Sequence, residues 1–175
     1  MTKEEFLEKD QDFNESVFLS KANNRIKNLY QSITLKQFDR TRAFISDALY
    51  EELDDKLRSY LEDKIYPFYD EINIDSDIRS FDILGDFLVV TVQARIRYLK
   101  YFRSIETNEI VSGDDRNRVE VIHHAVFKKR VHTVSNDHRC FGCGSTILIE
   151  NAGKCPVCGR KYDIESFDYL LDEFD

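Results

Sequence analysis

An α+β fold is expected from the sequence: N-terminal helices on one face of a curved antiparallel sheet, followed by a small C-terminal metal-binding ribbon. Three features carry that expectation. Apolar residues recur at three- and four-residue steps through the first third of the chain, the period of a helix facing a core. After Pro67 the period changes to two, the mark of strands buried on one side. The 4 cysteines fall in the last third as two Cys-x-x-Cys pairs.

Residues 1–13 are charged and weakly patterned and read as a lead-in. Asn14 is placed as an N-cap, because its side-chain oxygen can accept from the orphan amides of a first turn. Val17, Phe18, Ala22, Ile26, Leu29, Tyr30 and Ile33 then follow helical spacing. Thr34 is read as the cap of a short second helix with Leu35, Phe38 and Ala43 inward. Ser46 precedes Leu49, Leu53, Leu57 and Leu61, which lie along one side of a third helix, with Glu51, Asp55, Arg58 and Glu62 opposite. Pro67 is read as the end of the helical half.

Residues 71–83 read as a first strand through Ile72, Ile74 and Ile78, and Gly85-Asp86 as a turn. Residues 87–102 form a long second strand. Leu88, Val90, Val92, Ala94, Ile96 and Tyr98 occupy one face, and Thr91, Gln93, Arg95 and Arg97 the other. Ser112-Gly113-Asp114-Asp115 reads as the next turn. Residues 117–134 read as a third strand with Val119, Val121, His123, Ala125, Phe127 and Val131 inward. Residues 163–175 are acidic, and Ile164, Phe167, Leu171 and Phe174 are spaced as one face of a short helix that docks on its own domain or on a partner. The expected organisation is a lead-in (1–13), an α+β domain (14–134), a four-cysteine ribbon (138–163) and an acidic amphipathic tail (164–175).

Composition narrows the function classes. The chain has 175 residues, 42% hydrophobic and 33% charged, enough for one domain and a small appendage. A formal net charge of -8 repels phosphate backbones and argues against nucleic-acid binding. The run Lys128-Lys129-Arg130, with Arg139 nearby, alternates between strand faces and is expected as a solvated strand end. No stretch is apolar for long enough to span a bilayer. The start Met1-Thr2-Lys3-Glu4-Glu5 has no apolar signal region and is too acidic for a mitochondrial transit peptide, so a cytoplasmic location is expected.

The cysteine pairs are Cys140-Phe141-Gly142-Cys143-Gly144 and Cys155-Pro156-Val157-Cys158-Gly159. Two intervening residues let both sulfurs of a pair reach one ion from a tight turn. The glycine after the second cysteine permits the positive φ such a turn needs. Four soft ligands in two such turns suit a tetrahedral, closed, structural zinc site formed by Cys140, Cys143, Cys155 and Cys158. Iron could take the same sulfurs. A redox role would need one pair free on a βαβ unit that is not evident, and catalytic zinc would need an open position that four thiolates do not leave. His132 and His138 lie near Cys140 and are alternative ligands that four sulfurs make unnecessary.

Over about residues 10–134 the chain resembles the Tim44-like (TIM-forty-four-like) domain family. That domain is the C-terminal part of the import-motor subunit of the mitochondrial inner-membrane translocase and also occurs in bacterial proteins. The resemblance rests on Asp12-Phe13 with Phe18-Leu19-Ser20-Lys21-Ala22, on the segment from Phe38 to Tyr50, on Val92-Gln93-Ala94-Arg95-Ile96, on Val111-Ser112-Gly113-Asp114 and on Val126-Phe127-Lys128-Lys129-Arg130. It implies a cone-shaped sheet wrapped around a long helix, like that of nuclear transport factor two and the cystatin-like folds, with an apolar pocket. Some bacterial members carry a zinc-ribbon tail. The family's usual Trp before its last Phe-x-Arg stretch is replaced here by His123-His124-Ala125.

His123 is the one polar residue expected on the inner face of the third strand. It reads either as a pocket-lining acid/base or hydrogen-bond donor or, by preference, as a core or rim histidine satisfied by a neighbour. Tyr98 and Tyr30 are the other pocket candidates. The resulting expectation is a non-enzymatic binding or scaffolding module whose pocket takes an apolar group of a partner peptide or a lipid chain. The alternative is a small-molecule binder or enzyme that uses His123 and Tyr98 as polar handles. Peripheral membrane contact and self-association remain open in the sequence.

Overall fold

The computed structural model describes residues 1–131, 143, 145, 155–159, 165 and 168–175. The described elements run α1 (Lys3–Lys9), α2 (Glu15–Thr34), a 3-10 helix (Phe38–Ala43), α3 (Asp47–Glu62), β1 (Ile65–Leu84), β2 (Phe87–Ser104), β3 (Ile110–Arg130) and β4 (Leu170–Phe174). The strands form one antiparallel sheet in the order β1-β2-β3-β4, with the helices on its inner face. This is the α+β class expected.

The first element departs from the expectation. The lead-in is a helix, because Thr2 and Glu5 close a reciprocal capping box and Phe6 is fully buried. Phe6 packs on Phe81 and Phe13, with ring centroids 4.7 and 5.3 Å apart. Asn14 caps α2 as expected, accepting from Val17 N–H at 2.9 Å. The apolar stripe Phe18, Ala22, Ile26, Leu29, Tyr30 and Ile33 is buried throughout. Phe18, Ile26, Leu29 and Ile33, removed from water, contribute about 1.5–3 kcal/mol each.

Thr34 is the last residue of α2, not the cap of a second helix; its hydroxyl bonds to Tyr30 O and Tyr69 O. Leu35 is correspondingly exposed, while Phe38 and Ala43 are buried in the 3-10 turn. Ser46 caps α3 through its Oγ, which accepts from Leu49 N–H at 3.2 Å. Leu49 and Leu57 are buried, Leu53 packs at the margin, and Leu61 is exposed.

β1 begins six residues before the expected start. Pro67 lies inside it and does not end the helical half; an edge strand tolerates a residue with no N–H to donate. The inner face of β2 is as read, with Leu88, Val90, Val92, Ala94, Ile96 and Tyr98 all buried. The Ser112–Asp115 turn is not a turn: those residues lie within β3, and the reversal occurs at 105–109. A register shift between Tyr98 and Lys100 sets Gly113 opposite Tyr101 at φ +78. A Cβ there would stand 2.3 Å from Lys100 O, so only glycine allows the two backbones to approach this closely.

The described end of the tail, Leu170–Phe174, is a strand where a helix was expected. β4 pairs with β3 from Ala125 to Lys128. Leu171 N–H donates to Phe44 O at 3.0 Å and Ser46 N–H to Leu171 O at 2.9 Å. These partners come from the loop before α3, so tertiary hydrogen bonds override the helical spacing. β3 thus ends at Arg130, and the chain holds the neighbouring position of the sheet again from Leu170. Residues 132–134, together with Ile164 and Phe167, lie outside the described residues.

Candidate functional site

A cavity of about 340 Å³ opens between α2, α3 and the sheet. Helix α2 contributes Leu29, Tyr30 and Ile33 on its buried stripe. Helix α3 contributes Leu53, Leu57 and Tyr60, with Glu52 and Lys56 at its exposed margin. From the sheet come Tyr69, Tyr98, Lys100, Val121 and His123, and the C-terminal strand adds Phe174 with Asp175 beyond it. The three pocket candidates read from the sequence, Tyr30, Tyr98 and His123, thus lie in the lining of one cavity.

Three tyrosines form its aromatic wall. Ring centroids are 4.6 Å apart for Tyr30 and Tyr69, 5.4 Å for Tyr30 and Tyr98, and 5.4 Å for Tyr69 and Tyr98. Burial pushes all three phenols above their ordinary range, and around Tyr30 and Tyr69 the neighbouring tyrosines add to it. Near neutral pH these hydroxyls are uncharged donors and acceptors, not bases.

His123 sits half-buried at the rim. Its ring packs on Phe174 at 4.8 Å, and its Nδ1 contacts the backbone oxygen of Asp175. His124 faces the other side of the strand and is exposed, with Nδ1 3.9 Å from an Asp175 carboxylate oxygen.

Lys100, Tyr69, Tyr60 and Phe174 were missed in the sequence. Lys100 carried a usable signal, since it stands two residues beyond Tyr98 on the same strand. Its Nζ lies 5.6 Å from the Tyr69 ring centroid and 5.6 Å from that of Phe102. Burial lowers its pKa, and the like charge of Lys56 adds to the shift. The two lining carboxylates, Glu52 and Asp175, are exposed at the mouth.

The basic run near the end of β3 makes no open patch. Lys128 pairs with Asp172 at 2.9 Å, Lys129 with Asp10 at 3.2 Å, and the Arg130 guanidinium lies 4.9 Å from the Phe87 ring. Arg139 lies outside the described residues.

Three of the four cysteines are described. The sulfurs of Cys143, Cys155 and Cys158 lie within 4.8 Å of one another and could hold a metal ion. Cys143 Sγ and Cys155 Sγ are 3.6 Å apart. Gly159 adopts φ +73 and donates its N–H to Cys155 O at 2.9 Å, closing the second Cys-x-x-Cys turn as its sequence requires. The Ser145 hydroxyl and backbone N–H beside Cys143 hold its thiol down at about 6, favouring the thiolate that a metal needs. Cys140, His132 and His138 lie outside the described residues.

Among the described residues no helix is long and apolar enough to cross a membrane. Compared with known families, the chain matches the Tim44-like domain over residues 2–139. No curated protein matches it.

Proposed function

Because the chain belongs to the Tim44-like domain family, we propose that it is a non-enzymatic binding or scaffolding module. Its cavity takes an apolar group of a partner peptide or a lipid chain. The observation that carries this reading is the wall formed by Tyr30, Tyr69 and Tyr98, whose phenols burial keeps uncharged near neutral pH and so offer contact area and hydrogen bonds rather than proton transfer. The carboxylates that catalysis would call on, Glu52 and Asp175, stand exposed at the mouth.

A structural zinc ion bound by Cys140, Cys143, Cys155 and Cys158 completes the proposal. Tetrahedral thiolates at about 2.3 Å from zinc stand roughly 3.8 Å from one another. The 3.6 Å between Cys143 Sγ and Cys155 Sγ is compatible with that spacing. Four thiolates close the coordination sphere, so the ion's contribution is folding energy, not chemistry. A cytoplasmic location, protein or lipid partners, and no nucleic-acid partner belong to the same reading. The acidic net charge and the internally paired Lys128 and Lys129 support the last point.

The second reading, a small-molecule binder or enzyme using His123 and Tyr98, draws on both residues lining the same cavity. One experiment addresses the cavity itself. The fluorescent apolar probe N-phenyl-1-naphthylamine is titrated into the full chain and into Val121→Trp, a half-buried lining position whose enlargement fills the space. Uptake by the parent and its loss in a variant with unchanged circular dichroism is expected. Equal uptake by both would remove the cavity from the proposal.

A further inference from the structure

The cavity carries a charge arrangement that an apolar ligand alone leaves unexplained. Lys100 projects from β2 into the lining, half-buried, over the rings of Tyr69 and Phe102. Among the described residues no carboxylate forms an ion pair with it, and a second cation, Lys56 on α3, lines the same cavity and acts on it as a like charge. A half-buried ammonium beside another ammonium is disfavoured by desolvation and by like charge. Both costs are relieved when an anion enters between them. Glu52 and Asp175 also line the cavity. They are exposed, neither pairs with either lysine, and Asp175 is engaged with His124.

Resting on the binding reading above, we infer that the cavity's ligand is a single-chain carboxylate, its head held between Lys100 and Lys56 and its apolar chain laid along Tyr30, Tyr98, Val121 and Phe174. The size of the space sets the single chain. Ligand cavities run from about 300 to 1,000 Å³, and 340 Å³ lies at the small end, too little for a two-chain lipid. The donor set favours a carboxylate. Two lysines offer point charges, and among the described residues no arginine fork lines the cavity, as it commonly does where a phosphate is recognised. The Tyr30, Tyr69 and Tyr98 hydroxyls add neutral donors without competing for the charge.

The test displaces N-phenyl-1-naphthylamine from the full chain with dodecanoate, dodecan-1-ol and dodecyltrimethylammonium, all below their micellar concentrations. Dodecanoate is expected to displace the probe at concentrations roughly tenfold lower than dodecan-1-ol, and the cationic analogue to be weakest. Lys100→Met should bring dodecanoate to the level of dodecan-1-ol while leaving the alcohol unchanged. Lys56→Glu, at an exposed helical position, should weaken dodecanoate and strengthen the cationic analogue, which keeps the test open if the first variant fails to fold. Equal displacement by acid and alcohol in the parent would overturn the inference and leave the binding reading standing. Probe exclusion from the parent would take both down. A short apolar peptide with a free C-terminal carboxylate that displaces the probe where dodecanoate does not would overturn the inference in favour of a peptide.

Discussion

Replacing Asp10 with alanine tests whether the N-terminal helix belongs to the core. Asp10 is 7% exposed. Both its carboxylate oxygens accept from Lys129 Nζ at 3.2 Å, and Oδ2 also accepts from the Tyr169 hydroxyl at 2.7 Å. The network ties the end of α1 to β3 and to the residue before β4. Removing the carboxylate leaves an ammonium whose side chain is 16% exposed without its counter-charge. Breaking a buried pair in this way costs about 3–5 kcal/mol. The lost phenol bond, charge-assisted and worth about 1.5–3 kcal/mol when removed alone, is not additive with it. Because Lys129 can partly slide its head toward water, the lower end applies, and about 3 kcal/mol is expected. That is a large share of the 5–15 kcal/mol typical of a domain. Urea unfolding followed by far-ultraviolet circular dichroism reads the loss as a lower midpoint at unchanged slope. Asp10→Ala combined with Lys129→Met should recover part of it, since no charge is then left buried. A single-variant loss under about 0.5 kcal/mol, or a double variant as damaged as the sum of its parts, would refute the network's role.

Three further outcomes follow from other parts of the structure. Gly113→Ala should cost more than about 2 kcal/mol, because the new Cβ meets the β2 backbone at Lys100 O and Tyr101 Cα, whereas Gly85→Ala, with φ +60 but nothing within 4 Å, should cost only about 1 kcal/mol; comparing their urea midpoints checks this. Tyr30, Tyr69 and Tyr169 have phenols raised above the unfolded value of about 10, with burial the first cause in each. Their raised folded values contribute stability that is fully present below pH ~10 and lost as pH rises beyond it, so ultraviolet titration should show these phenols ionising only with alkaline unfolding. For the cysteine site, elemental analysis should find one equivalent of zinc per chain, and Cys155→Ser should lower it; a folded chain with four titratable thiols and no metal would remove the zinc.

The legible parts of the fold were those where local and global preferences agree. Asn14 and Ser46 cap helices because their side chains satisfy amides in the first turn, a purely local matter. The inner face of β2 was readable because every second residue from Leu88 to Tyr98 is buried. What was not legible depends on distant partners. Helix α1 exposes five of its seven residues, and Phe6 gains its burial from Phe81, far along the chain. Gly113 reads as a turn glycine, yet its positive φ serves a close approach to Tyr101 within a strand. Lys100 joined the cavity through strand alternation carried one step beyond Tyr98. In the cysteine segment, spacing alone anticipated the convergence of Cys143, Cys155 and Cys158, and the glycine-closed turn from Cys155 to Gly159 is local.

The position of that segment sets how far a metal bound there would influence the cavity. The 39 residues 131–169 join two neighbouring strands, and β4 carries Phe174 to the cavity wall. Closing such a loop costs an entropy that grows only as the logarithm of its length. A metal cross-linking Cys143 to Cys158 shortens the free chain to roughly 24 residues, which favours β4 docking by only about 0.4 kcal/mol. The contacts of β4 and of the two residues before it are larger. Leu171 is fully buried and hydrogen-bonded to Phe44, Tyr169 reaches Asp10, and Asp168 pairs with Arg25 at 2.8 Å and Lys21 at 3.1 Å. Removing the metal with a chelator should therefore speed amide exchange at Leu171 by no more than about twofold and leave probe uptake by the cavity unchanged. Acceleration beyond tenfold, with metal loss verified on the same sample, would mean that the cysteine segment holds β4 through packing on the sheet, and that metal occupancy and ligand binding are coupled rather than independent.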